Sequence, residues 1–257
     1  MEHKEFDIMF ADEKTHWWYR ARFRLVDHYL NVFFPRSKNV KMLDMASACG
    51  ANFEHYSGYG TIIGLDIAQE AIDFCRSKGV EKIVRGDAHS LPFSSGVFDG
   101  VFALDALEHF KDDGRVLQEL SRVMKKNGLI FITAPAFSCL WSQHDEAFHH
   151  QRRYSIREMK EKLNKAGYAI IFATYWSFLL FLPAFLLRKG KDFLQILRKT
   201  QDVPLSDFHM RLPRWADFLL DCLAKVEAFF IIRKIAFPIG VSLFCVAKKC
   251  DAFPDGA

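Results

Sequence analysis

Residues 42–52 read MLDMASACGAN. An apolar run ends on Asp44, and the chain then turns through small residues. In a nucleotide-binding α/β protein, the loop that receives the nucleotide follows the first strand in this way. Only Gly50 among those small residues is a glycine. Taken alone, the stretch reads as a cofactor loop, a degenerate loop, or an alanine-rich helix start. The residues around it decide.

Apolar, β-branched runs alternate with amphipathic ones. VKMLDMA (40–46), TIIGLDI (61–67), KIVRGD (82–87), FDGVFAL (98–104) and GLIFITAP (128–135) read as strands. Helical patterns cover 52–59, 69–78 and 112–126. Strands that are apolar nearly throughout and alternate with helices indicate βαβ units, a parallel sheet covered on both faces. Residues 155–168 read as a helix with Ser155 as N-cap, Glu158 at the capping-box position and Gly167 as the stop. YAIIFATYW (168–176) and GVSLFCVAKK (240–249) read as further strands.

Three acidic residues fall at strand ends. Asp44 closes the first strand, Asp66 the second and Asp87 the third. Ligands of an open parallel sheet sit beyond the carboxyl ends of its strands. An acidic residue some 20 positions past the loop suits the ribose hydroxyls. Asp87 and Ala88 are placed to meet an adenine. Three carboxylates around one loop argue against a pyrophosphate and suit a nucleoside with a cationic or zwitterionic tail.

LDMASACG resembles the L-D-x-G-x-G-x-G motif of class I S-adenosylmethionine (SAM) methyltransferases. The likeness continues through GLDIAQEAIDFCR, GDAHSLPFSSGVFDGVFALDALEHF and LQELSRVMKKNGLIFITAP, covering about residues 40–170. It implies a Rossmann-like, doubly wound α/β fold of seven strands in the order 3-2-1-4-5-7-6, the last strand antiparallel, with a helical cap and insert. It implies SAM as cofactor and S-adenosylhomocysteine as product. Asp44, Ala46, Gly50, Asp66, Ile67, Asp87, Ala88 and Leu104 are the implied cofactor neighbours. Ala46 and Ala48 stand where the family usually has glycines. An alanine forced into a left-handed conformation costs about 1–2 kcal/mol; if neither position needs positive φ, the only cost is room for a methyl group.

Further segments carry chemistry. THWWYRARFRLV (15–26) reads as an N-terminal aromatic, basic helix. It either packs as a cap or, by resemblance, lines the cofactor site with Trp18, Tyr19 and Arg22, the last facing the cofactor carboxylate. LDALEHF (104–110) places Asp105 and His109 on the acceptor side. WSQHDEAFHHQRRYS (141–155) resembles the His-Asp-x-x-x-Gly-His-x-Arg-Arg-Tyr stretch of a bacterial and archaeal, type 11/12-like methyltransferase group, with His149 in place of that glycine. Asp145, Arg152, Arg153 and Tyr154 are the expected substrate contacts, the arginine pair suiting a phosphate or carboxylate. His144 or His150 is the expected general base. The spacing within this segment matches no metal-ligand pattern, and no metal is expected.

The organisation expected is an N-terminal helical cap (1–34), a SAM-binding core (35–176), a helical insert (177–238), the final core strand (239–249) and a tail (250–257). The formal net charge of +4 is too small to imply nucleic acid, and no basic stripe lies by the expected site. Residues 188–234 hold ten Lys/Arg against six Asp/Glu, so the insert accounts for that charge. The six scattered cysteines form no CxxC pair and suit a reducing compartment. The N-terminus lacks the apolar core of a secretory signal. IIFATYWSFLLFLPAFLL (170–187) is uncharged, but its first part is needed as a strand. The remainder is too short to cross about 30 Å of hydrocarbon. The insert then reads as a buried cap or as an interfacial surface, with 178–200 touching anionic lipid. The expected function is methyl transfer, by O-methylation, to a small or lipid-linked acceptor in the cytoplasm, at the inner membrane face if the insert binds lipid. A non-catalytic SAM-binding or membrane-docking protein is the alternative. Oligomeric state is not legible.

Overall fold

The structure, a computed structural model, describes residues 3–35, 39–188 and 213–250. Two helices lead the chain, α1 (His3–Thr15) and α2 (Trp17–Phe33). There follow β1 (Lys41–Met45), α3 (Ala51–Tyr56), β2 (Thr61–Asp66), α4 (Gln69–Ser77), β3 (Ile83–Arg85) and β4 (Phe98–Leu104). Next come α5 (Asp113–Val123), β5 (Met124–Pro135), α6 (Gln143–Ala147), α7 (Ile156–Lys165) and β6 (Tyr168–Trp176). Residues 181–188 are helical, and α8 (Arg214–Ile231) precedes β7 (Ser242–Lys249).

The strands form one sheet in the order β3-β2-β1-β4-β5-β7-β6. Pairs among β1 to β5 are parallel, and β7 runs antiparallel to both β5 and β6. This is the expected Rossmann-like α/β order with its antiparallel last strand.

Side-chain alternation assigns each face of the sheet its helices. Leu43, Met45, Val101, Ala103, Ile130 and Ile132 point to one face and pack with Val116, Leu117 and Leu120 of α5 and Met159 and Leu163 of α7. Met42, Phe102, Leu104, Phe131, Phe244 and Val246 point to the other, under Leu25, Val26 and Leu30 of α2 and Ala224, Ala228 and Ile231 of α8. Each fully buried large side chain contributes about 1.5–3 kcal/mol. Because the central strands are buried on both faces over most of their length, they read in sequence as largely apolar runs.

Several expected boundaries move for local reasons. The helix expected over 15–26 begins at Trp17, after His16, whose side chain caps α2 by accepting from Trp18 N–H, and α1 precedes it. Residues 124–126 leave the expected helix and open β5, because Met124 pairs with Phe98 across a bulge and is buried. Pro213 is the N-cap of α8. Ser155 caps α7 as expected, accepting from Glu158 N–H at 3.1 Å, and Gly167 follows with φ 84°. The last strand begins only at Ser242; at Gly240 a side chain would meet the Trp176 carbonyl oxygen at 2.3 Å.

The expected cap and insert pack on one another. Arg20 bonds Asp217 at 2.8 Å and Asp221 at 3.3 Å, Arg24 bonds Asp221, and Trp17 N–H donates to Asp217 at 2.9 Å. Burial would raise the Asp221 carboxyl, but Arg24, Lys225 and Arg20 outweigh it and hold it below its usual range. The outer side of α8 stays apolar and exposed at Trp215, Phe218 and Leu219. Among the described residues no helix is long and apolar enough to cross a membrane. Residues 189–212, including most of the basic stretch expected at 188–200, lie outside the described residues.

Candidate functional site

The loop after β1 settles which backbone the small residues must adopt. Ala46, Ala48 and Gly50 have φ of 57°, 44° and 74°. Alternate residues thus take the left-handed region, which suits glycine, and two of them are alanines. The Ser47 hydroxyl donates to the Asp44 carbonyl at 2.8 Å, and Ser47 N–H donates to the Leu65 carbonyl at 3.1 Å, fastening the loop to β2. Gly50 ends the turn as the residue before α3; a Cβ there would lie 2.8 Å from Cys75 Sγ.

Asp44 is buried, and its Oδ1 accepts from Asn52 at 3.0 Å while Oδ2 has no partner. Burial pushes its carboxyl up to about 7. Asp66 at the end of β2 accepts Ala48 N–H and Ala68 N–H, each at 2.9 Å, and remains partly open. Asp87 is exposed and accepts from His89 N–H at 2.9 Å, with its ring at 2.7 Å; these bonds hold its carboxyl below the usual range. Ala88 beside it is buried, and Ile67 is 65% exposed.

Arg22 enters this region from α2. It is buried and reaches Asp105 at 3.0 Å, Glu13 at 3.2 Å and Asn52 at 3.4 Å. Glu13, from α1, also accepts from Cys49 at 3.3 Å, so both leading helices close on the loop. Trp18 and Tyr19 pack edge to face at 5.1 Å, and Trp18 lies 4.9 Å from Trp176. Asp105, just past β4, has φ 52° and accepts from Arg22 and from Thr133 at 2.8 Å. Leu104 is buried in the core under α2. Glu13 and Asn52 were not singled out by sequence. Asn52 ends the opening stretch, where its position at the start of a helix was the available signal.

The region 141–155 divides into a buried brace and a histidine cluster. Asp145 is fully buried and accepts from Arg153 through both oxygens at 2.8 Å, from Ser142 N–H at 2.9 Å and from the His150 ring at 2.9 Å. Its burial would raise the carboxyl, but His150 and Arg153 hold it far below the usual range. Arg153 is 4% exposed, and Tyr154 is buried with its hydroxyl on Asp113 at 2.7 Å. Arg152 donates to the Lys111 carbonyl at 2.7 Å. Asp145, Arg153 and Tyr154, expected as substrate contacts, are each engaged in internal pairing in this structure. A buried arginine needs its carboxylate, which RRY spacing alone does not reveal.

Three histidines expected at the acceptor side do gather. The His109 and His150 rings lie 4.9 Å apart, and His144 is 5.9 Å from His150. Burial of the ring and the nearby His150 push His109 down to about 4, although the residue keeps an exposed edge. Glu108 is buried, its Oε2 has no partner, and burial and Asp105 push its carboxyl well up. Its carbonyl accepts from Gln151 N–H at 2.7 Å, joining the loop after β4 to the segment after β5. His149 sits at φ 55°, the position where the resembling stretch has glycine. Elsewhere, a cleft of about 340 Å³ between α2 and α3 is lined by Lys14, Arg20, Arg24 and His55 and holds none of the expected site residues.

This sheet order, with acidic ends on β1 and β2, a third acid past β3 and a left-handed loop between the first two, matches the Rossmann-like methyltransferase fold. Residues 43–132 match the family described as a methyltransferase domain. Biotin biosynthesis bifunctional protein BioHC of Cellvibrio japonicus (strain Ueda107) is 29% identical over 137 residues, 50% of this chain and 27% of that protein. Demethylmenaquinone methyltransferase of Thermotoga maritima is 35% identical over 97 residues, 36% of this chain and 42% of that protein. The chain therefore spans less than half the length of these relatives. A solved structure of Haemonchus contortus phosphoethanolamine N-methyltransferase 2 with SAM shares the fold at a TM-score of 0.53 and 18% identity, covering 88% of this chain and 53% of that one. The match at 43–132 is thus to a methyltransferase domain, and the fold is shared with a protein solved with S-adenosylmethionine bound.

The residues present fit that cofactor. Asp44 Oδ2 is a buried carboxylate oxygen lacking a partner, which an ammonium group satisfies. Asp66 has acceptor capacity left for vicinal hydroxyls. The absence of a Cβ at Gly64 and Gly50 keeps the loop close to β2 and α4.

Proposed function

We propose that the chain is a methyltransferase that carries the SAM methyl group to an oxygen of a small or lipid-linked acceptor. The observation that carries this reading is the convergence of Asp44, Asp66 and the left-handed loop 46–50, with the Asp44 Oδ2 left buried without a partner. When bound, SAM supplies a methyl group already joined to a good leaving group. The protein then has to bind, orient and exclude water, and proximity supplies several kcal/mol. In this reading Asp66 and Ile67 hold the ribose, Asp87 and Ala88 the adenine, and Asp44 the ammonium. Trp18, Tyr19 and Arg22 close the cleft, Arg22 turning from Glu13 to the cofactor carboxylate.

At the acceptor side, Leu104 and Asp105 adjoin the methyl group, and His109 and Arg152 adjoin the acceptor. His150, with Nδ1 held by Asp145, presents Nε2 as a base for the acceptor hydroxyl proton; His144 is the second candidate. The HDxxxxHxRRY stretch would then act in two parts, its histidines on the acceptor and its Arg153, Tyr154 and Asp145 as the brace that aims them.

Calorimetric titration with SAM and S-adenosylhomocysteine tests the reading. Binding of both, lost in Asp66→Ala, is expected; binding of neither at millimolar concentration overturns it. Binding without methyl transfer to any hydroxyl acceptor would favour the non-catalytic alternative.

A second surface bears on the acceptor. Leu179, Leu182, Leu186 and Leu187 are more than half exposed, as are Trp215 and Phe218 on α8. Exposed apolar side chains next to a basic insert suit the lipid contact proposed for 178–200.

A further inference from the structure

Glu108, His109 and His150 each offer one ligand atom, and these atoms lie within 4.8 Å of one another. Side chains that bind a first-row divalent cation stand about 2.0–2.2 Å from it, so their mutual distances close to about 3–3.5 Å on binding. Binding therefore requires the three side chains to close on the ion. Two further observations favour a ligand here. Glu108 Oε2 is buried without a partner, in a residue 1% exposed. An unpartnered carboxylate oxygen in that position is costly unless a cation or donor meets it. His150 is oriented through its other nitrogen: Nδ1 bonds the buried Asp145 carboxylate at 2.9 Å, which leaves Nε2 with its lone pair. A histidine whose second nitrogen is held by a carboxylate is the usual metal-binding arrangement, since it fixes the tautomer and raises ligand basicity.

We infer that Glu108, His109 and His150 form a binding site for one divalent first-row metal ion, Zn²⁺ being the best match to two imidazoles and a carboxylate. Two elements build it, the short turn Leu107–His109 after β4 and the segment after α6, tied together by Gln151 N–H on the Glu108 carbonyl. This is why no spacing within 141–155 revealed it. Three protein ligands leave a fourth position open, as in catalytic rather than structural zinc sites. Resting on the proposed function, that open position takes the acceptor oxygen, which the ion holds in its deprotonated form. His150 is then a ligand, and the general-base role passes to His144.

The test is titration of the tag-free full chain with Co²⁺, read by its visible absorption bands, and with Zn²⁺ in competition, read by calorimetry. One equivalent bound at micromolar affinity or tighter is expected. Glu108→Gln and His109→Asn are each expected to lose about tenfold or more in metal affinity. Both should keep the SAM affinity of the unsubstituted chain, which reports that they fold. Millimolar or weaker metal binding, or tight binding unchanged in both variants, overturns the inference. A chain that binds SAM and no cation loses this site and keeps the proposed function. A chain that binds the cation and no SAM keeps the site and loses the function.

Discussion

Ala48, at φ 44°, donates its backbone N–H to the Asp66 carboxylate at 2.9 Å. The left-handed turn of the loop thus supplies one of the two backbone N–H groups that hold the β2 carboxylate, Ala68 supplying the other, and an alanine makes that turn where glycine would do so without strain.

Replacing Ala48 with glycine removes the crowding of its Cβ at positive φ and is expected to stabilise the fold by about 1 kcal/mol after glycine's own entropic cost. In a chain of this size that corresponds to a rise in Tm of about 2–4 °C. Ala46→Gly should behave alike. SAM affinity should change little, since the backbone already adopts the required turn. A Tm unchanged in both variants would mean that the alanines are unstrained, and a large gain in affinity would mean that their methyl groups crowd the cofactor.

The buried Asp44 carboxyl, raised by burial from 3.8 to about 7, ties cofactor binding to pH. A raised carboxyl keeps its proton in the folded chain while the unfolded chain has lost it. Its contribution to stability is therefore full below about pH 4 and disappears as pH rises past about 7. An ammonium group bound to Asp44 favours the ionised form. SAM affinity should therefore increase by up to about tenfold per pH unit below 7 and level off above it. Calorimetry in two buffers of different ionisation enthalpy should show proton release at pH 6. Asp44→Asn should abolish that pH dependence; if the slope persists, another group titrates.

Asp145 and Arg153 form the opposite case. The carboxyl is held down, so its stabilisation is present above about pH 4 and is lost only as pH falls well into the acid range. Asp145→Ala leaves a buried guanidinium unpaired and is expected to destabilise by about 3–5 kcal/mol. Arg153→Met with Asp145→Leu should recover part of that loss. Urea denaturation of the two variants checks the order; equal stability of Asp145→Ala and the parent would contradict the brace.

The exposed leucines predict a surface property. If 178–200 contacts lipid, the chain should sediment with vesicles containing anionic lipid at low salt and less so at high salt. Leu182→Asp with Leu186→Asp should weaken sedimentation without altering SAM affinity. A chain that stays in the supernatant under all conditions has no lipid-binding face there.

Much of the site's frame was legible before the fold. FDGVFAL coincides with β4, a central strand buried on both faces and so mostly apolar, and YAIIFATYW with the edge strand β6, whose β-branched and aromatic residues were the signal. Asp44 and Asp66 could be placed at strand ends because each closes an apolar run. Helix limits were less legible: Lys125 and Lys126 read as a continuing helix, and only the pairing of Met124 with Phe98 shows that the strand starts earlier.

By itself the sequence determined the alternation of strands and helices, the acidic strand ends and the small-residue turn after Asp44, since these follow from local pattern and period. Tertiary structure alone decided three things. It put Ala46 and Ala48 in the left-handed region, because the loop must turn sharply enough to bond β2, against the preference of alanine itself. It committed Arg153 and Tyr154 to internal partners, because burial makes pairing obligatory and pairing reaches across distant segments. It brought Glu108 and His109 to His150, some 40 residues away in the chain, because the ends of β4 and β5 are neighbours in the sheet and nowhere near each other in sequence.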